Sequence, residues 1–175
     1  DPETKITTGS EVYDVEEDSS KAGLGPGLTL TVRQLVQAML LSSGSDASMT
    51  LAAATGRKLE NDPNLSYKKA IERFIEEMNT VAGQVGLDGS HFVTPDGYHD
   101  WDHYISIRGY MIIARLILEH ELLSAIVKTP QATITYHNKY GTPYTTTMRN
   151  TNRTLHADQP ELYRPEAVGL KTGST

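Results

Sequence analysis

The chain has 175 residues, 38% of them hydrophobic, which suits one folded domain with a core of its own. Its 16 Lys+Arg against 22 Asp+Glu leave a net charge of −6, which excludes a nucleic-acid module built on a basic face. Cysteine is absent, so disulfides, thiolate zinc sites and thiol nucleophiles are excluded, and no apolar run of 18 residues reads as a transmembrane helix.

The start, Asp1-Pro2-Glu3-Thr4, is polar, so any export signal is expected outside this chain. Lys5-Ile6-Thr7-Thr8 has strand character, and residues 9–29 read as loop, with Gly25-Pro26-Gly27 as punctuation. Thr31-Val32-Arg33-Gln34 is a capping box, and Val32, Leu35, Val36, Met39 and Leu40 follow helical spacing behind it. Ser42-Ser43-Gly44-Ser45 interrupts that helix. Asp46 is expected to cap a second, alanine-rich helix ending at Gly56. Ser66 caps a third helix, with a stripe from Ile71 through Phe74, Ile75 and Met78 to Val85, closed by Gly86. Thr94-Pro95-Asp96-Gly97 is a turn. The helix from Ser106 to Glu119 is apolar on most sides and reads as buried. Residues 132–136 and 144–148 are rich in β-branched and aromatic residues and predict a hairpin across Asn138–Pro143, with a further strand over 168–171. A helical block followed by strands is an α+β arrangement.

Two stretches carry chemistry. Ser43-Gly44-Ser45-Asp46-Ala47 lies at a helix break, and Lys171-Thr172-Gly173 lies far downstream. A Ser-x-Asn-like element followed by Lys-Thr-Gly forms the later parts of a three-part signature whose first part is Ser-x-x-Lys. A serine hydroxyl is a poor nucleophile and needs a base beside it, and a lysine serves only when neighbouring positive charge and burial keep it neutral. A second lysine supplies that field and holds a substrate carboxylate. Small residues after it let an extended peptide lie along the backbone. A serine at the helix break relays a proton to the leaving amine.

On these residues the chain resembles the D-alanyl-D-alanine carboxypeptidases, low-molecular-mass penicillin-binding proteins of the serine β-lactamase-like superfamily. Further segments carry the resemblance: Leu30–Leu35, Glu77-Met78-Asn79 with Ala82, Thr94–Gly97, and Asn150-Thr151-Asn152 ahead of Val168–Gly173. The resemblance implies part of a β-lactamase/transpeptidase-like fold, mostly its helical subdomain plus a few strands. It implies removal of the terminal D-Ala from peptidoglycan stem peptides through an acyl-enzyme, inhibition by β-lactams, no metal or organic cofactor, and an extracytoplasmic location. Ser43 then corresponds to the proton relay and Ser45 to the amide-binding position. Lys171 provides the field and a carboxylate contact, and Thr172 a second such contact. Gly173 borders the substrate, and the Ser174 N–H forms half of an oxyanion hole.

Two departures qualify the resemblance. Ser45 stands where the family has Asn, and a hydroxyl offers one donor and less reach than an amide. Ser66-Tyr67-Lys68-Lys69 fits the Ser-x-x-Lys string but lies downstream of Ser43 and reads as a helix cap. Residues 1–175 are therefore expected to be one partial domain truncated at both ends, with nucleophile and base outside it and no activity alone. A non-catalytic peptidoglycan- or partner-binding module with a decayed site, and a serine β-lactamase, are the alternatives. The run His99-Asp100-Trp101-Asp102-His103 invites a metal reading but is expected to be a hydrogen-bonded loop. Trp101, Tyr136, Tyr140 and Tyr144 suggest a glycan groove, against which ordinary cross-strand packing is the expectation.

Overall fold

Thr31 ends a strand and starts a helix in the same residue. Its side-chain oxygen accepts the Gln34 amide at 3.2 Å, and the Gln34 side chain returns to the Thr31 N–H at 2.9 Å, so the expected capping box forms. The computed structural model describes residues 1–173. The elements are β1 (Lys5–Thr7), β2 (Leu28–Thr31), α1 (Val32–Leu41), α2 (Ser45–Leu59), α3 (Tyr67–Gln84), α4 (Ile107–Glu119), α5 (Glu121–Lys128), β3 (Gln131–Asn138) and β4 (Pro143–Arg149). Short 3-10 turns lie at Ser10–Tyr13 and Arg153–Leu155.

The strands form one antiparallel sheet in the order β1-β2-β3-β4, with Ile6 opposite Leu30, Thr29 opposite His137 and Ile134 opposite Thr146. Alternation along β3 sends Ile134 and Tyr136 inward, and Thr133 and Thr135 outward to pair hydroxyls with Thr147 and Thr145. The inward residues meet Leu35, Ala38 and Leu41 of α1 and Met148 of β4 in the main core. A smaller core joins Ala52 and Ala53 of α2 to Ile71 of α3. Tyr136 stacks on Tyr144 across the hairpin at 6.1 Å, the expected cross-strand packing.

Several expectations are corrected. Residues 9–29 are not all loop, because Leu28 and Thr29 pair with β3 and Thr29–Thr31 with β1. Gly56 does not end α2; the helix runs on to Leu59, and Gly56 is the point where α3 crosses. Asp46 is not the N-cap of α2, a position taken by Gly44; its carboxylate is buried and turned to the preceding loop. Ser66 occupies the N-cap position of α3 without a side-chain cap bond. α4 is not a buried central helix: only Gly109 is buried, while Ile107, Tyr110 and Met111 are exposed. Apolarity does not specify what covers a helix, and α5, which packs against α4, leaves these side chains uncovered. The segment 168–171 forms no strand, because a ladder needs a neighbouring edge and none among the described residues pairs with it. Trp101 is 93% exposed and lies outside the strands, edge-on to the His99 ring.

Candidate active site

α1 stops where its chain turns left-handed. Ser43 takes φ +59°, a conformation a non-glycine residue adopts only when its surroundings enforce it. Gly44 follows in a space with no room for a side chain: a Cβ there would lie 2.8 Å from the Ala22 Cβ and 2.9 Å from an Asp46 carboxylate oxygen. α2 then opens with Ser45, largely buried, whose N–H donates to the Ser20 carbonyl at 2.9 Å. The chain reversal places Ser43 and Ser45 side by side at a helix N-terminus.

That corner is one wall of a cleft of about 510 Å³. Met39 and Leu40 of α1 line it beside Ser43, and Ser45 and Ser48 line it from α2. Pro95–His99 form a second wall. The Ser48 hydroxyl donates to the Pro95 carbonyl at 2.6 Å, fixing the turn to α2. Asn79 of α3 holds the strip before the turn, donating to the Phe92 carbonyl at 2.7 Å and accepting its N–H at 2.9 Å. The Asp18–Ser20 loop forms a third wall. The Tyr98 hydroxyl donates to Asp18 Oδ1 at 2.9 Å, joining two walls at the rim, and that carboxylate raises the phenol pKa.

The fourth wall is Lys171-Thr172-Gly173. The Lys171 ammonium donates to the Thr172 carbonyl, and desolvation against the cleft wall lowers its pKa although much of the side chain is exposed. The Thr172 hydroxyl pairs with that of Thr151 at 2.5 Å, and Asn152 donates its side-chain amide to the Gly169 carbonyl at 2.8 Å. Among the described residues nothing lies within 4 Å of a Cβ on Gly173.

The structure thus brings Ser43, Ser45, Lys171, Thr172 and Gly173 to one cleft from two distant parts of the chain. No hydrogen bond joins Ser43 to Lys171 among the described residues; they face a common space instead. Ser174 lies outside the described residues. Ser66, Lys68 and Lys69 are exposed at the start of α3, away from the cleft lining. The 99–103 segment is tied down by hydrogen bonds. The His91 ring meets the Asp102 carbonyl at 2.8 Å, and His103 Nδ1 lies 3.2 Å from the Thr94 hydroxyl. Desolvation lowers the His103 pKa. Asp18 and Tyr98 escaped the sequence reading, and Thr151 entered it only as part of Asn150-Thr151-Asn152, with no role of its own. Asp18 and Tyr98 share no spacing that links them, whereas Thr151 sits between two asparagines already noted for their resemblance.

This α+β arrangement is that of the DD-transpeptidases: the crystal structure of the Streptomyces K15 enzyme superposes with a TM-score of 0.87 at 31% identity, covering 100% of this chain and 63% of that one. The profile of the D-alanyl-D-alanine carboxypeptidase family matches residues 1–175, and the chain belongs to that family. Among curated relatives, a D-alanyl-D-alanine carboxypeptidase of Streptomyces sp. (strain K15) is 31% identical over 175 residues, which are 99% of this chain and 56% of that protein. The D-alanyl-D-alanine carboxypeptidase DacF of Bacillus subtilis (strain 168) is 27% identical over 98% of this chain and 39% of its own length. The chain therefore spans roughly two-fifths to three-fifths of the curated relatives named here.

Proposed function

We propose that these residues are one part of a serine-type D-Ala-D-Ala carboxypeptidase that trims peptidoglycan stem peptides through an acyl-enzyme. The reading rests chiefly on the meeting of the Ser43–Ser45 corner and the Lys171–Gly173 segment at one cleft. In it, a serine outside this chain attacks the carbonyl carbon between the two D-Ala residues, the C–N bond breaks, and free D-Ala leaves. Ser43 passes a proton to the departing amine, and water then hydrolyses the ester. Ser45 lies at the N-terminus of α2, where a substrate amide carbonyl meets a positive helix end. Lys171 and Thr172 take the terminal carboxylate, with Lys171 also biasing the neighbouring base toward its neutral form. β-Lactams, which carry a similar carboxylate, acylate the same serine in this reading. The substrate fixes the place of work as the cell envelope. No metal or organic cofactor enters any step.

The test is labelling of the full-length protein by a fluorescent penicillin, with D-Ala release from a D-Ala-D-Ala peptide measured in parallel. Covalent label with D-Ala release is the expected result. A folded protein that takes no label and releases no D-Ala is the binding module instead. Rapid turnover of a chromogenic cephalosporin without D-Ala release identifies a β-lactamase.

A further inference from the structure

Lys171-Thr172-Gly173 sits on no strand, yet it is held in place, and the segment just past β4 does the holding. Asn150 is buried; its side-chain amide donates to the Val127 and Thr129 carbonyls at 3.2 and 3.1 Å, anchoring the segment to the end of α5. The buried His156 donates from Nε2 to the Asn150 carbonyl at 2.6 Å. Asn152 donates to the Gly169 carbonyl, and Gly169 rests on Val127 so closely that a Cβ would lie 3.0 Å from its Cγ2. Between them, Thr151 donates its N–H to the Leu41 carbonyl at 3.0 Å, two residues before Ser43, and pairs its hydroxyl with that of Thr172.

We infer that Thr151 is a positioning residue that ties the Ser43 wall of the cleft to the Thr172 wall and turns the Thr172 O–H toward the substrate carboxylate. The inference rests on the carboxypeptidase reading above. Its logic is the donor count. Each hydroxyl has one proton, and a carboxylate only accepts. If Thr172 donates to Thr151, it has nothing to offer the substrate. With Thr151 donating instead, the Thr172 proton is free for a charge-assisted bond to the carboxylate, which is the stronger use of it. Thr151 need not touch the substrate.

The experiment uses the full-length protein with Thr151→Val, which keeps the shape and loses the hydroxyl, and Thr151→Ser, which keeps the hydroxyl. D-Ala release from a free-acid D-Ala-D-Ala peptide by the unaltered protein tests the carboxypeptidase reading by itself. Thr151→Val is expected to lower kcat/KM for the free acid by about tenfold, mainly through KM, consistent with weakening a hydrogen bond to a charged group. The same peptide with a C-terminal amide should change by less than about twofold, and Thr151→Ser should recover most of the loss. Equal losses on both peptides, or a Ser variant as impaired as Val, overturn the inference. A measurement independent of turnover compares the thermal midpoints of Thr151→Val, Thr172→Val and the double variant. A double shift no larger than the worse single one shows the two hydroxyls act as a pair, and a double shift equal to the sum overturns that coupling.

Discussion

The Asp46 carboxylate holds the Leu24 amide at 2.8 Å from inside the protein, with only 1% of Asp46 exposed. Its other oxygen accepts the Ala22 amide and the Ala47 amide, both at 2.9 Å. Three N–H donors thus converge on one charge at the first turn of α2, where the helix macrodipole also favours an anion. The consequence reaches the cleft, since the loop that Asp46 fastens supplies Ser19 and Ser20 to its wall. Asp46→Ala leaves the donors buried without a partner. In urea denaturation of the full-length protein it should cost about 3 kcal/mol, given roughly 1.5–3 kcal/mol for each bond to a charged group and strong non-additivity among the three. Asp46→Asn keeps one acceptor oxygen and should fall between. A loss below about 1 kcal/mol for the Ala variant would show that the loop is held by its other contacts.

Gly56 and Gly83 both lie inside helices and should respond oppositely to alanine. A Cβ on Gly56 would sit 1.8 Å from the Ala70 carbonyl oxygen of the crossing α3, a backbone atom that no rotamer change can move. Gly56→Ala must push α2 and α3 apart and should destabilise by about 3 kcal/mol, the upper part of the usual overpacking range. Nothing lies within 4 Å of a Cβ on Gly83. Gly83→Ala should stabilise by about 0.5 kcal/mol through the lower entropy of its unfolded chain. Thermal melts of the two variants with the unaltered protein decide both, and a Gly56→Ala midpoint no lower than that of the unaltered protein would refute the close helix crossing.

What the sequence made legible divides by range. The Thr31–Gln34 capping box, the closure of α3 by Gly86 and the β3–β4 hairpin depend on neighbours within a few residues, so their signals are local. The corrected features depend on distant partners. Gly56 looks like a helix stop until Ala70 is placed against it, and Leu28 and Thr29 look like loop until β1 and β3 flank them. The α4 stripe has the apolarity of a core helix, but periodicity says nothing of its cover. In the site, Ser43, Ser45 and Lys171–Gly173 stood out because their chemistry comes in a recognisable order. The Tyr98–Asp18 bond across the rim has no such order to announce it.

Lys171 yields a prediction in pH. Its pKa is lowered from the ordinary 10.5 by desolvation. Below the folded-state pKa the ammonium is charged in both states, and the desolvation cost is fully present. As pH rises from that lowered value toward 10.5 the unfolded chain binds more protons than the folded one, so stability gains. Lys171→Met removes the charge and its cost. Its thermal midpoint should therefore exceed that of the unaltered protein near pH 7, and the gap should narrow near pH 10. Penicillin acylation should fall by about a hundredfold in the same variant, the scale seen when an electrostatic stabiliser is removed from an acyl-transfer site. A midpoint gap that stays constant across this pH range rules out desolvation of Lys171 as its source.

Ser45 stands at the first position of α2, largely buried, with its backbone N–H already given to the Ser20 carbonyl. It borders the cleft, at the place where the resemblance drawn from the sequence expects an amide. An Asn side chain adds two heavy atoms, and Ser45 borders an open volume of about 510 Å³. The Ser45→Asn variant should therefore fold without overpacking, and its carboxamide should reach further toward a bound peptide than a hydroxyl does. In the proposed enzyme the rate of acylation by penicillin should hold or rise. A fall of about tenfold or more, equivalent to about 1.4 kcal/mol of lost transition-state stabilisation, would mean that the hydroxyl itself is used. Melting of the same variant separates the causes: an unchanged midpoint with slowed acylation places the loss in the chemistry, and a lowered midpoint places it in the packing beneath α2.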